Sequence, residues 1–299
     1  MFGTLLVDAL VVGILGLLVG SFLNVVIHRL PQMMERQWAA EYAQYAQESG
    51  LPVQTGGPAN AVNAADAAPF NLWTPRSRCP SCGHGVRWFE NIPVLSWLFL
   101  RGRCSACQAP IGLRYPLVEL ATGALFLACA LRWGWTPVTA LWCAFCATLV
   151  TLTAIDWDTT LLPDDITLPL LWGGLLAAVA GLTGVSPADA IIGATGGYLS
   201  LWAVYWAFRL ATGKEGMGYG DFKLFAALGA WFGWQALVPI ILLASVIGAI
   251  VGIALKLASN LREGKYVPFG PFLAGGGLAA LLWGPQRIMQ AVLSVLGLA

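Results

Sequence analysis

Two aspartates and four cysteines are the residues of this sequence whose types and spacing could do chemistry. Asp221 stands in residues 216–223, Gly-Met-Gly-Tyr-Gly-Asp-Phe-Lys, between two apolar segments, and it opens the second of them. An ionisable side chain at the end of a membrane helix is costly unless it is paired, hydrated or functional. Gly216, Gly218 and Gly220 leave the backbone before it free to take conformations denied to other residues, and would let a substrate strand approach closely. Asp156 is the matching feature, closing an apolar run in residues 154–164, Ala-Ile-Asp-Trp-Asp-Thr-Thr-Leu-Leu-Pro-Asp. Two neighbouring carboxylates cannot both ionise cheaply, so they share a proton and titrate as a pair. The ionised member takes a proton from a water held between them, and the protonated member hydrogen-bonds the carbonyl which that water attacks. This is aspartyl-protease chemistry, and here it would be housed in a membrane.

The cysteines come as Cys79-Pro-Ser-Cys82 and Cys104-Ser-Ala-Cys107. Each pair makes a tight knuckle that points both sulfurs at one ion, and the two together resemble a zinc ribbon with a closed tetrahedral site. Gly83 and Gln108 follow the knuckles, where turn-tolerant residues are expected. Disulfides are the competing reading, disfavoured if the segment is cytosolic. A redox pair would follow a strand and open a helix, whereas prolines and arginines flank these. Four protein ligands leave no open position, so the zinc would be structural. Cys129, Cys143 and Cys146 lie in apolar spans and read as packing residues.

The elements that must position these residues are membrane helices. Of the 299 residues, 58% are hydrophobic and 10% charged, and the mean hydropathy is +0.72. A soluble domain carries about 25% charged residues. Apolar runs long enough to span recur, which predicts an all-α polytopic membrane protein with about eight transmembrane helices. The expected spans are residues 5–27, 117–135, 137–155, 166–182, 188–210, 222–234, 236–257 and 269–289. The sixth is short for a crossing, so either it starts before Asp221 or the site is locally wet. The first run lacks a basic flank and is long enough to span, so no cleavable signal is expected. The organisation expected is a first helix (1–27), a cytoplasmic loop with the four-cysteine zinc site (28–116) and a seven-helix protease domain (117–299).

Within this frame, Asn24 needs a hydrogen-bond partner and reads as an interhelical clamp. Gly16 with Gly20, and Gly193 with Gly197, mark close helix packing. Glu119 near a span start reads as a paired group. Residues 33–48 are polar and helix-compatible, and residues 51–74 read as a mobile linker. With the first terminus outside, all but Arg132 and Arg287 of the 16 lysines and arginines fall in or beside cytoplasmic loops. Asp156 then ends an inward span and Asp221 begins an outward one, so both reach the cytoplasmic face. Asp158 would point about 200° around the helix from Asp156 and cannot share its site. Asp164 and Asp165 read as an N-cap for the next span. Lys223 reads as a snorkelling or screening residue.

Taken in order, these segments resemble the bacterial type IV prepilin peptidases, GxGD-type intramembrane aspartic proteases. The resemblance rests on residues 20–31 (Gly-Ser-Phe-Leu-Asn-Val-Val-Ile-His-Arg-Leu-Pro), the paired CxxC motifs, residues 90–97 (Glu-Asn-Ile-Pro-Val-Leu-Ser-Trp) and residues 114–119 (Arg-Tyr-Pro-Leu-Val-Glu). Asp156 with Leu162-Pro163-Asp164, and Gly218-x-Gly220-Asp221-x-Lys223, complete it. It covers the chain except residues 33–74. The resemblance implies removal of the basic leader from type IV prepilins and type II secretion pseudopilins, after a glycine, at the cytoplasmic face of the inner membrane. It also implies N-methylation of the new N-terminus with S-adenosylmethionine. By motif position Asp156 and Asp221 match the catalytic aspartates.

The methyl-transfer site is harder to read. No dinucleotide glycine fingerprint follows a strand, and Thr212-Gly213-Lys214-Glu215 is not a phosphate loop. The cytoplasmic loop is the natural place, with Glu90 able to hold an amine and Gly102 able to allow close approach. A proton-coupled transporter is the competing class, but it would place its acids near the membrane midplane. A non-catalytic zinc-bearing scaffold would leave both aspartate motifs unexplained.

Overall fold

The computed structural model describes residues 2–49, 70–258, 267–295 and 297. Most of the expected linker at 51–74 lies outside them. Among the described residues the chain is almost entirely helical, with two isolated bridges and no strand. Among the described residues, five helices are long and apolar enough to cross a membrane.

Contacts divide the chain into two compact units, Ile14–Ala124 and a second made of Met1–Gly13 with Leu125–Ala299. Helix α1, Phe2–Glu48, runs without interruption through Pro31 and on through the polar stretch that follows the first span. In the first unit, α1 is followed by a 3-10 turn at Trp88–Asn91, a short α2 at Leu95–Phe99, and the start of α3, Arg114–Trp133. Polar clamps hold these pieces. Asn24 donates to the Tyr115 carbonyl at 3.1 Å, and Glu119 accepts the Val94 N–H at 2.7 Å, giving both the partners their positions demanded. Arg29, buried on α1, donates to the carbonyls of Asn71 and Pro75. A Cβ on Gly20 would lie 2.7 Å from Glu119 Cα, so the glycine is what lets α1 and α3 touch there.

The second unit contains α4 (Pro137–Thr159), α5 (Asp164–Val179), α6 (Pro187–Thr212), α7 (Tyr219–Phe232), α8 (Leu237–Leu257), α9 (Gly270–Trp283) and α10 (Pro285–Val295). Local chemistry sets the ends. Thr136 and Ser186 cap α4 and α6, each followed by a proline at the first helical position. Asp189 ties the cap of α6 to the Trp234 indole at 2.9 Å.

The centre of this unit is α7, whose residues from Asp221 to Trp231 are all buried except Lys223. An apolar helix hidden on every side belongs in a core. Its backbone touches α6 directly: Gly193 abuts the Gly229 carbonyl, and a Cβ on Gly197 would lie 2.7 Å from the Phe225 carbonyl oxygen. On the α5 side, the Trp231 indole donates to the Leu170 carbonyl at 2.8 Å. With 14 residues, α7 is about 21 Å long, short of the roughly 30 Å hydrocarbon layer. It therefore serves as an internal strut wrapped by other helices, and it does start before Asp221.

The count of eight spans is not confirmed by the described helices. The α5, α7 and α9 segments fall below spanning length, and the expected last span, 269–289, is broken in two. Gly284 adopts φ +85°, a left-handed conformation that ends α9, and Pro285 then starts α10.

Candidate active site and thiol centre

Asp156 lies one turn before the end of α4. Thr160 terminates that helix in the left-handed conformation, its N–H returning to the Asp156 carbonyl at 2.8 Å. Asp156 is buried and Asp158 exposed, as the helical rotation between them requires. Asp221 is the third residue of α7 and also buried. Its place in the first turn puts the carboxylate at the positive end of the helix. Both aspartates belong to the same compact unit.

The link between them is Leu162. A Cβ on Gly220 would lie 2.7 Å from Leu162 Cβ, so the start of α7 is pressed against the Leu-Leu-Pro turn that leaves α4. The glycine-rich loop is seated in the same way. A Cβ on Gly216 would lie 2.9 Å from the Phe208 ring, and Tyr219 packs on Tyr205 with ring centroids 5.3 Å apart. None of Gly216, Gly218 and Gly220 has a positive φ. The expectation that these glycines serve backbone freedom is therefore corrected: Gly216 and Gly220 serve close approach.

Two further expectations change. Asp164 and Asp165 do not cap α5, because Pro163 occupies the cap position and both acids lie in the first turn. Lys223 neither snorkels freely nor faces the dyad; its ammonium donates to both oxygens of Asp164 at 2.7 Å. That pair ties α7 to the start of α5. Asp164 is about half exposed, so Lys223→Met should cost under about 1 kcal/mol. Thermal unfolding in detergent checks this, and a loss several times larger would mean that the pair holds the site together.

The thiol centre sits in the other unit. The sulfurs of Cys79, Cys82, Cys104 and Cys107 all lie within 4.8 Å of one another. Cys79 to Cys107 is 3.8 Å and Cys82 to Cys104 is 4.0 Å. Zn–S bonds of about 2.3 Å set tetrahedral sulfur separations of about 3.8 Å, whereas a disulfide requires about 2.05 Å. The donor set therefore fits a thiophilic metal. Each knuckle is built alike: the N–H of Gly83 returns to the Cys79 carbonyl and that of Gln108 to the Cys104 carbonyl, with both Gly83 and Gln108 at positive φ. The N–H groups of Cys82 and Ser81 draw the Cys79 thiol down to about 6. The His84 N–H favours the Cys82 thiolate, but Cys107, burial and the other sulfurs outweigh it and push that thiol up to about 12. Sulfurs this close oppose one another's ionisation, and a cation among them removes the conflict.

Glu90 locks the two knuckles together. Its carboxylate accepts the Arg87 N–H at 2.8 Å and the Ser105 hydroxyl at 2.6 Å, and meets His84 at 3.3 Å. These donors, led by the Arg87 N–H, hold Glu90 below the usual carboxylate range. Its stabilisation is present in full above the ordinary Glu value of about 4.3 and is lost as pH falls through the lower folded value. Gly102 has φ +67°, and a Cβ there would meet the Trp97 ring at 2.8 Å. Sequence reasoning missed this clamp, and also missed Leu162 and Gly270 beside Asp156. The signal for Gly270 was a glycine set between prolines, Pro268-Phe269-Gly270-Pro271.

Two carboxylates buried near helix ends within a polytopic membrane fold fit an intramembrane aspartic peptidase. Residues 14–133 match the bacterial peptidase A24 N-terminal domain, and residues 143–253 match the type IV leader peptidase family. The chain is 56% identical to the prepilin leader peptidase/N-methyltransferase of Aeromonas hydrophila, over 90% of this chain and 88% of that protein. Proteins of the same name in Pseudomonas aeruginosa and Stutzerimonas stutzeri are 52% and 51% identical, each over 91% of this chain and 89% and 90% of their own lengths. This chain belongs to the type IV leader peptidase family. No solved structure matches it.

Proposed function

We propose that this protein cleaves the leader from type IV prepilins and type II secretion pseudopilins, and then methylates the new N-terminal amine with S-adenosylmethionine as donor. The observation that carries the proteolytic half is the burial of Asp156 and Asp221 in one compact unit, near the end of α4 and the start of α7, with Gly220 pressed against Leu162. The ionised member of the pair takes a proton from water, the water oxygen bonds to the scissile carbonyl carbon, and the protonated member hydrogen-bonds the developing oxyanion. The C–N bond then breaks and the leaving amine receives a proton from the pair. Asp221 is held by the first turn of α7 and Asp156 by the last turn of α4.

The inner membrane is the expected location, with both aspartates and the thiol centre at the cytoplasmic face, on the distribution of basic residues. The ion proposed for Cys79, Cys82, Cys104 and Cys107 is zinc, which when bound closes the two knuckles into one structural unit. Glu90 and Gly102 serve methyl transfer through the shape of this loop: Glu90 pins one knuckle to the other, and Gly102 admits the Trp97 ring. The direct test incubates purified protein with a prepilin peptide and S-adenosylmethionine and weighs the products. A shortened peptide carrying one added methyl group is expected; an uncut peptide would refute the reading.

The two activities should separate by region. Glu90→Gln and Gly102→Val should lower methylation of a precleaved peptide by about tenfold or more, a loss of at least about 1.4 kcal/mol in barrier terms. Cleavage of the intact peptide should stay within a few-fold of the parent rate. Equal loss of both rates would mean that the loop shapes a shared peptide site.

A further inference from the structure

The carboxylate of Asp156 is not evenly served by its surroundings. Asp156 is 4% exposed, and among the described residues its Oδ2 has no hydrogen-bond partner. A buried oxygen left so is expensive and calls for an explanation. The neighbour it faces is the first residue of α9. A Cβ on Gly270 would stand 2.5 Å from Oδ2 and 3.2 Å from Cγ, so the Gly270 backbone, with its N–H, lies against the carboxylate.

The start of α9 is built to present that group. Phe272 and Leu273 both return their N–H groups to the Phe269 carbonyl, and Pro271 has none to offer. Gly270 therefore supplies the free donor of this first turn among the described residues. It is also where a helix N-terminus favours a nearby carboxylate. Phe269 and Gly270 have helical or near-helical backbones, and Gly270 is not among the residues with positive φ. The glycine is thus required by what stands beside it.

We infer that Gly270 is a positioning residue of the proteolytic site: its missing side chain lets the turn that opens α9 close directly against Oδ2 of Asp156 and fixes that carboxylate for proton transfer. The inference rests on the aspartate reading above and adds a third segment to it, the turn that opens α9. Any side chain at 270 would collide with Oδ2 and force the carboxylate or the turn to shift. Leu162 is the second neighbour, since the same Cβ would come within 3.1 Å of Leu162 Cδ1.

The test uses the full-length protein and two separate substrates. Gly270→Ala should reduce kcat for cleavage of an intact prepilin peptide by about 100-fold, the order of loss that a small misplacement of a reacting group brings. KM should stay within about threefold, and methylation of a precleaved peptide within about twofold. Pro271→Ala, which leaves the contact between Gly270 and Oδ2 untouched, should cleave within a few-fold of the parent. The double variant Gly270→Ala/Leu162→Ala separates the two contacts. If the fault lies at Oδ2, the loss persists when Leu162 is truncated. Recovery in the double variant, parental cleavage by Gly270→Ala, or equal loss of methylation and cleavage would each overturn the proposal. If Asp156→Asn itself cleaves normally, the aspartate reading beneath it fails instead.

Discussion

Asp156→Asn and Asp221→Asn should each abolish leader cleavage, lowering the rate by on the order of 10²–10⁴-fold or more. The substitution keeps the size and shape of the side chain while removing the group that exchanges a proton. Both sites are buried within helices that are otherwise apolar, so a neutral amide should not unfold them. Methylation of a precleaved peptide should continue in both variants, which shows that the chain is folded and inserted. Asp158→Asn is the control: this residue is exposed, facing away from the site occupied by Asp156, and should keep most of the parent activity. Full loss in Asp158→Asn with normal cleavage in Asp156→Asn would reverse the assignment of the pair.

The second large effect is expected at the thiol centre. Purified protein should carry one zinc ion per chain, and Cys79→Ser or Cys104→Ser should remove most of it. Closing a structural zinc site contributes about 10–16 kcal/mol of apparent binding energy in isolated zinc-finger peptides at neutral pH. The loop around Trp88–Asn91 and Leu95–Phe99 has no buried residue within either short helix. With so little apolar core, it depends on the knuckles and on Glu90 for its shape. Protease protection of this segment should therefore collapse in the cysteine variants, and methylation should fall with it, while cleavage persists at a substantial fraction of the parent rate. Metal is bound by thiolates, so acidification should release it as protons replace it on sulfur. Metal analysis under reducing conditions decides the matter: absence of any bound metal, or four thiols found paired as disulfides in cells, would sink the zinc reading.

Membership in the family was legible from motifs because each motif is local. A CxxC knuckle, a cap, or a glycine–aspartate step at the start of a helix is specified within a few residues, and composition alone demands membrane helices. Asn24 and Glu119 could be marked as needing partners for the same reason, since a buried polar group must be satisfied wherever the chain goes. The identity of the partners was not legible. Tyr115 and Val94 are backbone donors or acceptors that any residue could supply.

The number of spans is not confirmed by the structure, because hydropathy cannot tell a helix facing lipid from one enclosed by protein. Residues 219–232 are as apolar as a spanning helix, yet α7 is enclosed on all sides and too short to cross. The break at Gly284-Pro285 was visible in residue types, but an apolar run on both sides masked it.

What the sequence by itself determined is the chemistry available: two aspartates at helix ends, four thiols in two knuckles, and apolar helices to hold them. These follow from side-chain type and spacing along the chain. The tertiary structure alone decided which carboxylate oxygen is left open, that Lys223 is spent on Asp164, that Gly216 and Gly220 serve close approach, and that Gly270 faces Asp156. The physical reason is that these are distances between segments remote in sequence. A glycine looks the same in the chain whether it frees a turn or makes room for a carboxylate, and only packing distinguishes the two.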